Sequence, residues 1–191
     1  QSGTGKTATF TLGVLGRINV AENKTQALIL AHTRELALQI NNVFRQIGSY
    51  MDIVYNLSIK GISTTENINA LSKKPRKPHI VIGTPGRVLD MINKRALHVS
   101  TIKMIVIDEA DEMLSDGFRD TIYNIIKYIS KDCQICLFSA TKTEETIDLS
   151  NKFLNNPESI IVENKNVSLE GIKQFKVLIN EEWKYDTLLD L

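Results

Sequence analysis

The chain has 191 residues, of which 42% are hydrophobic and 24% charged. That is apolar enough for a packed core and rules out a disordered chain. Its 23 basic and 22 acidic residues leave a net charge of +1, which permits a local phosphate-binding strip but not a protein that coats nucleic acid. No apolar run has membrane-spanning length and no signal peptide opens the chain, so no membrane partner is expected.

The first element is Gln1-Ser2-Gly3-Thr4-Gly5-Lys6-Thr7, followed by a helical run. We read the visible part of a P-loop here. Because Gln1 is already motif, we expect a truncated N-terminus. Glycines let backbone N–H groups turn toward one anion, and the helix brings roughly half a positive charge at its N-terminus. Ser2, Gly3, Thr4, Gly5, Lys6 and Thr7 are the expected ATP-binding residues. Lys6 would reach the β- and γ-phosphates, and the Thr7 hydroxyl would ligate Mg²⁺. The competing reading is a flexible Gly/Ser linker.

Short apolar runs then recur: Ala27–Ala31, Ile53–Leu57, Ile80–Ile82, Met104–Ile107 and Ile135–Phe138. Such runs fit strands buried on both faces. Between them, Leu36, Ile40, Val43, Phe44 and Ile47 form a helical stripe, as do Val88, Leu89 and Ile92, and then Phe118, Ile122, Ile125, Ile126 and Ile129. The alternation predicts an α/β fold, a parallel sheet with helices on both faces, whose ligands bind beyond the carboxyl ends of the strands. The basic stretch Lys73–Lys77 contains Pro75 and reads as a solvated loop, with nuclear targeting as the alternative.

Two loops at strand ends, His32-Thr33-Arg34-Glu35 and Thr84-Pro85-Gly86-Arg87, each join a hydroxyl and a guanidinium to a helix start. All three features bind phosphate, and none reads base edges. Each loop reads equally as a capped helix with an exposed arginine.

Asp108-Glu109-Ala110-Asp111 ends an apolar run, an odd place for negative charge unless a cation compensates it. Asp108 would hold Mg²⁺ through water, and Glu109 would orient or deprotonate the attacking water. An acid-rich helix start is the alternative. Ser139-Ala140-Thr141 again follows a strand; its hydroxyls are placed to bond the Asp108–Asp111 turn, while Thr141 or Thr143 is placed to cap the helix near Glu144. Cys133 and Cys136 lie three apart across a strand and should face opposite ways, so they read as ordinary thiols of a reducing compartment, cytoplasm or nucleus.

Asn155-Asn156-Pro157 should break a helix, and Ile160–Val162 reads as a last strand. A strand at Gln174–Ile179 and a helix at Trp183–Leu191 cannot bury their faces alone, so they read as the opening of a second, truncated domain.

In order, Ser2–Thr7, Thr33-Arg34-Glu35-Leu36-Ala37, Thr84-Pro85-Gly86-Arg87, Asp108-Glu109-Ala110-Asp111 and Ser139-Ala140-Thr141 resemble motifs I, Ia, Ib, II and III of the DEAD-box RNA helicases. Thr25–Leu28, Asp111–Leu114, Leu169–Phe175 and Glu182-Trp183-Lys184 are similar to the translation initiation factor 4A group. The resemblance implies a RecA-like domain over residues 1–166, an interdomain linker over 167–172 and the start of a second RecA-like domain over 173–191. It implies an RNA helicase with ATP and Mg²⁺ as cofactors and Lys6, Asp108 and Glu109 as catalytic residues. It makes Asp111, Ser139 and Thr141 the coupling residues, and gives RNA contacts to Thr33, Arg34, Gly61, Thr84, Gly86 and Arg87.

The implied partners are the RNA backbone, a second RecA-like domain of the same chain, and scaffold proteins of translation initiation or exon junction complexes. An RNA clamp with little turnover is the alternative activity; a DNA helicase or unrelated P-loop ATPase is a further one. The chain departs from the family pattern at His32, where the family has Pro, at Lys60-Gly61 in place of Gly-Gly, and at Lys142-Thr143.

Overall fold

A computed structural model describes residues 5–72, 75–115, 117–141, 143–161, 173 and 175–190. Ser2, Gly3, Thr4, Lys142 and the expected linker at 167–172 lie outside them. The chain divides into two compact units, Gln1–Pro157 and Glu158–Leu191.

The first unit is built on β1 (Ala27–Leu30), β2 (Tyr55–Ser58), β3 (Ile80–Gly83), β4 (Met104–Ile107) and β5 (Gln134–Leu137). They form a five-stranded sheet in the order β2-β3-β1-β4-β5, and every pairing is parallel. Parallel strands need crossovers, which α2 (Arg34–Ile47), α3 (Thr64–Ser72), α4 (Pro85–Asn93), α5 (Ala110–Ser115) and α6 (Arg119–Lys127) supply, while α1 (Lys6–Leu15) precedes β1 and α7 (Glu144–Phe153) follows β5. Because all strands run one way, every strand ends at the same edge of the sheet. The chain reverses its direction of growth beside β1, where such folds open a ligand crevice.

Side-chain alternation sends β1 residues to two cores. Leu28 and Leu30 join Val81, Ile105 and Ile107 in a core covered by α4, α5 and α6. Ala27 and Ile29 join Ile80, Ile82 and Val106 under α1 and α2, through Phe10, Val14, Ile40 and Phe44. All of β1, β3 and β4 is buried, which is why these strands read as continuous apolar runs. Edge strand β2 instead carries Asn56 and Ser58 inward. Their polar atoms meet in a cluster in which Ser58 Oγ donates to Asn56 Oδ1 at 2.9 Å and Asn67 Nδ2 donates to it at 3.3 Å.

Several expectations shift. The strand expected at Ile53–Leu57 forms at Tyr55–Ser58, because Ile53 N–H closes a turn onto the Met51 carbonyl. Cys133 packs on one core and Cys136 on the other, as strand geometry requires, and both are free thiols. Burial pushes the Cys133 thiol up to about 11, which keeps it protonated and unreactive.

In the second unit, Ile160, Ile161 and Phe175–Ile179 form no ladder, contrary to the strands expected there; Val162 and Gln174 lie outside the described residues. Strands hold only against neighbours, and none pairs with them among the described residues of this unit. A 3₁₀ turn at Glu181–Trp183 leads into α8 (Lys184–Asp190), close to the helix expected at Trp183–Leu191. No helix among the described residues is long and apolar enough to cross a membrane.

Candidate active site

The α1 helix starts at Gly5, whose backbone is left-handed at φ 80°, and no side chain caps it. A side chain at Gly5 would strain this φ, and the space where its Cβ would stand is open. Among the described residues the first ladder bond runs from Thr9 N–H to the Gly5 carbonyl, and the amides of Lys6, Thr7 and Ala8 occupy the opening turn of the helix. Amides of an opening turn, with the helix dipole behind them, suit an anion.

Across the same edge, Asp108 extends β4, its N–H bonding the Leu30 carbonyl at 3.1 Å. The side chain is 4% exposed, and its Oδ1 accepts the Glu109 N–H at 3.0 Å. Burial pushes the Asp108 carboxyl above its usual range. The Glu109 amide pulls it back, the Glu109 carboxylate pushes it further, and the charges of Lys6 and His32 lower it. Lys6, Glu109, His32 and Asp108 therefore share one electrostatic neighbourhood. Glu109 itself has a left-handed φ of 50°, and its Oε2 lies 3.0 Å from His32 Nδ1.

Asp111, one helical turn on, meets the end of β5. Its Oδ2 accepts the Thr141 N–H at 3.0 Å and the Thr141 hydroxyl at 2.6 Å. Burial pushes the Asp111 carboxyl up, but bonds from Thr141 and Ser139 outweigh that and hold it below its usual range. Ser139 Oγ in turn donates to the Thr141 carbonyl. The three residues assigned to coupling thus form one cluster, joining the β4 and β5 ends. The helix-capping role falls to Thr143, which accepts the Thr146 N–H at 3.3 Å.

The two phosphate-loop candidates converge on a third loop. Thr33 caps α2 by accepting the Leu36 N–H at 3.2 Å. Thr84 begins α4 without a side-chain cap bond, leaving its hydroxyl out of the cap. Gly61, after β2, has φ 101°, and a Cβ there would stand 2.5 Å from Arg34 Nη1. Arg87 Nη1 donates to the Ile62 carbonyl at 2.8 Å. Arg34 and Arg87 thus flank the Gly61–Ile62 backbone, with exposed Lys60 beside it. Gly86 has open space around it.

Among the described residues no three His, Cys, Asp or Glu side chains cluster as a protein-only metal cage. One buried carboxylate and the Thr7 hydroxyl nevertheless fit Mg²⁺, which keeps its waters and takes oxygen ligands from phosphate. The raised Asp108 pKa marks a carboxylate whose charge a cation would compensate.

Two features escaped the sequence reading. The His32–Glu109 contact was visible there only as a departure from pattern. The Asn56–Ser58–Asn67 cluster had a signal in the alternating polar residues of β2.

A parallel α/β sheet whose carboxyl edge gathers a glycine-started helix, a buried carboxylate and basic loops defines the P-loop phosphate-handling class. The DEAD/DEAH box helicase family model matches residues 1–149, and the chain belongs to that family. It is 50% identical over 192 aligned residues to the ATP-dependent RNA helicase eIF4A of Candida albicans, covering 100% of this chain and 48% of that protein. The eIF4A of Debaryomyces hansenii is 49% identical over the same shares. The chain spans about half the length of the curated relatives it matches. Among solved structures it resembles S. cerevisiae Dbp5 bound to RNA and ADP BeF3, with TM-score 0.78 and 33% identity, covering 91% of this chain and 43% of that one. It also resembles a DEAD box protein from Methanococcus jannaschii, with TM-score 0.77 and 35% identity over 82% of this chain and 42% of that one.

Proposed function

We propose that this chain is the ATP-binding RecA-like domain of an ATP-dependent RNA helicase, and that it couples ATP hydrolysis to local RNA remodelling. What supports the reading is that the charge of Lys6, at the start of α1, acts on the buried Asp108 carboxylate just beyond β4. The eIF4A relatives and the RNA-bound Dbp5 neighbour support it.

In this reading the amides at the start of α1, with Ser2, Gly3, Thr4 and Gly5, cradle the phosphates, and Lys6 neutralises the β- and γ-phosphate charge. Thr7 and Asp108 would hold Mg²⁺, which would add neutralising charge at the triphosphate. Glu109 orients the attacking water and takes its proton. Thr33, Arg34, Gly61, Thr84, Gly86 and Arg87 receive the RNA backbone, whose contacts carry no base sequence. Asp111, Ser139 and Thr141 tie the two ends together. Residues 173–191 open the second RecA-like domain, which the full protein needs for turnover.

In the full-length protein, Glu109→Gln should keep ATP and RNA binding and abolish turnover. Retained turnover removes Glu109 from the catalytic role. Competition between RNA and DNA of one sequence tests the nucleic acid, and equal binding removes the RNA assignment.

A further inference from the structure

Two rigid backbones bring His32 and Glu109 together. Leu30 of β1 and Ile107 of β4 are register partners, and His32 and Glu109 each stand two residues beyond them. Ahead of His32, Ala31 N–H bonds the Gly83 carbonyl at 3.0 Å. Behind it, Thr33 is locked as the α2 cap. On the other side, Asp108 N–H bonds Leu30 and Ala110 N–H bonds the Phe138 carbonyl at 2.9 Å. Glu109 between them holds φ 50°, a conformation that a residue with a side chain keeps only when its surroundings impose it.

The side chains meet at 3.0 Å, His32 Nδ1 to Glu109 Oε2, with 17% and 38% of each exposed. The contact is close enough to attract and is not aligned as a hydrogen bond. Catalytic hydrogen bonds are commonly long or poorly aligned until substrate is engaged.

We infer that His32 is a positioning residue for ATP hydrolysis, holding the Glu109 carboxylate on its water and linking it to the RNA-facing loop. The inference rests on the proposed function. His32 is covalently followed by Thr33 and Arg34, and the Arg34 guanidinium lies against Gly61. A phosphate drawn onto Arg34 therefore acts on the same short strap that carries His32. This route is separate from the Asp111–Thr141 cluster, which joins β4 to β5.

The test is steady-state ATP hydrolysis by the full-length protein at saturating RNA, for wild type, His32→Ala and His32→Asn. The Asn Nδ2 overlies His Nδ1 and keeps a polar N–H toward Glu109. Losing the hydrogen bond to a charged group that this contact becomes once substrate is engaged should lower kcat on the order of ten-fold in His32→Ala. KM for ATP and RNA affinity should stay unchanged, and His32→Asn should recover most of the loss. An unchanged kcat, a loss shared equally by His32→Asn, or a loss confined to KM or RNA affinity would overturn the inference while leaving the functional reading intact. A wild-type protein without RNA-stimulated turnover would overturn both.

Discussion

Thr141→Val isolates the bond that joins the β4 and β5 ends. Valine keeps the shape and the backbone N–H bond to Asp111 at 3.0 Å, and removes the hydroxyl bond at 2.6 Å. A hydrogen bond to a charged group is worth about 1.5–3 kcal/mol. Thr141 is exposed, so water competes and the lower end applies, about 1.5 kcal/mol. For a domain of this size that corresponds to a melting-temperature loss of roughly 3–6 °C.

The same bond lowers the Asp111 pKa. A depressed carboxylate stabilises the fold above its unfolded pKa and loses that contribution as pH falls through the folded value. The wild-type advantage should therefore be full at neutral pH and shrink in acid. Urea unfolding of wild type, Thr141→Val and Thr141→Ser at neutral and acid pH measures it. Serine should retain most of the stability. A Thr141→Val loss below about 0.3 kcal/mol, or one that does not shrink in acid, would refute the assignment of the Asp111 pKa to this hydroxyl.

Other substitutions test the remaining contacts. Gly61→Ala places a Cβ 2.5 Å from Arg34 Nη1 at φ 101°; strain of about 1–3 kcal/mol and displacement of Arg34 should weaken RNA binding in a filter assay. Exposed Lys60 beside Arg34 and Arg87 should contact one RNA phosphate, so Lys60→Ala should flatten the plot of log affinity against log salt by about 0.7. His79 is 2% exposed, and its Nδ1 accepts the Val54 N–H at 3.0 Å. Burial first, then Arg76, lowers its pKa below the ordinary 6.5. The unfolded chain therefore takes the proton first, and stability should fall as pH drops through the ordinary value toward the folded one. His79→Gln should flatten that slope in pH-dependent denaturation.

Much of the fold was legible because β1, β3 and β4 are buried on both faces, so their identity is written as unbroken apolar runs. The β2 position was less clear, since an edge strand mixes Asn56 and Ser58 with Tyr55 and Leu57, and the turn at Met51–Ile53 takes apolar residues that resemble its beginning. Helices α3 and α5 had no strong stripe to announce them. The candidate site was legible at Asp108 and Asp111 because acids just past an apolar run stand out, and at Lys6 because glycines ahead of a helical run do. Contacts set by register across non-consecutive strands were not. His32 and Glu109 meet because β1 and β4 are neighbours, a fact of topology that local pattern does not encode.

The most direct test of the account is equilibrium binding of a fluorescent ATP analogue to the full-length protein and to its Lys6→Ala variant, with and without Mg²⁺. Convergence of the α1 start and Asp108 on one magnesium–triphosphate predicts Mg²⁺-dependent binding that Lys6→Ala weakens by an order of magnitude or more. Binding indifferent to both Mg²⁺ and Lys6 would contradict it.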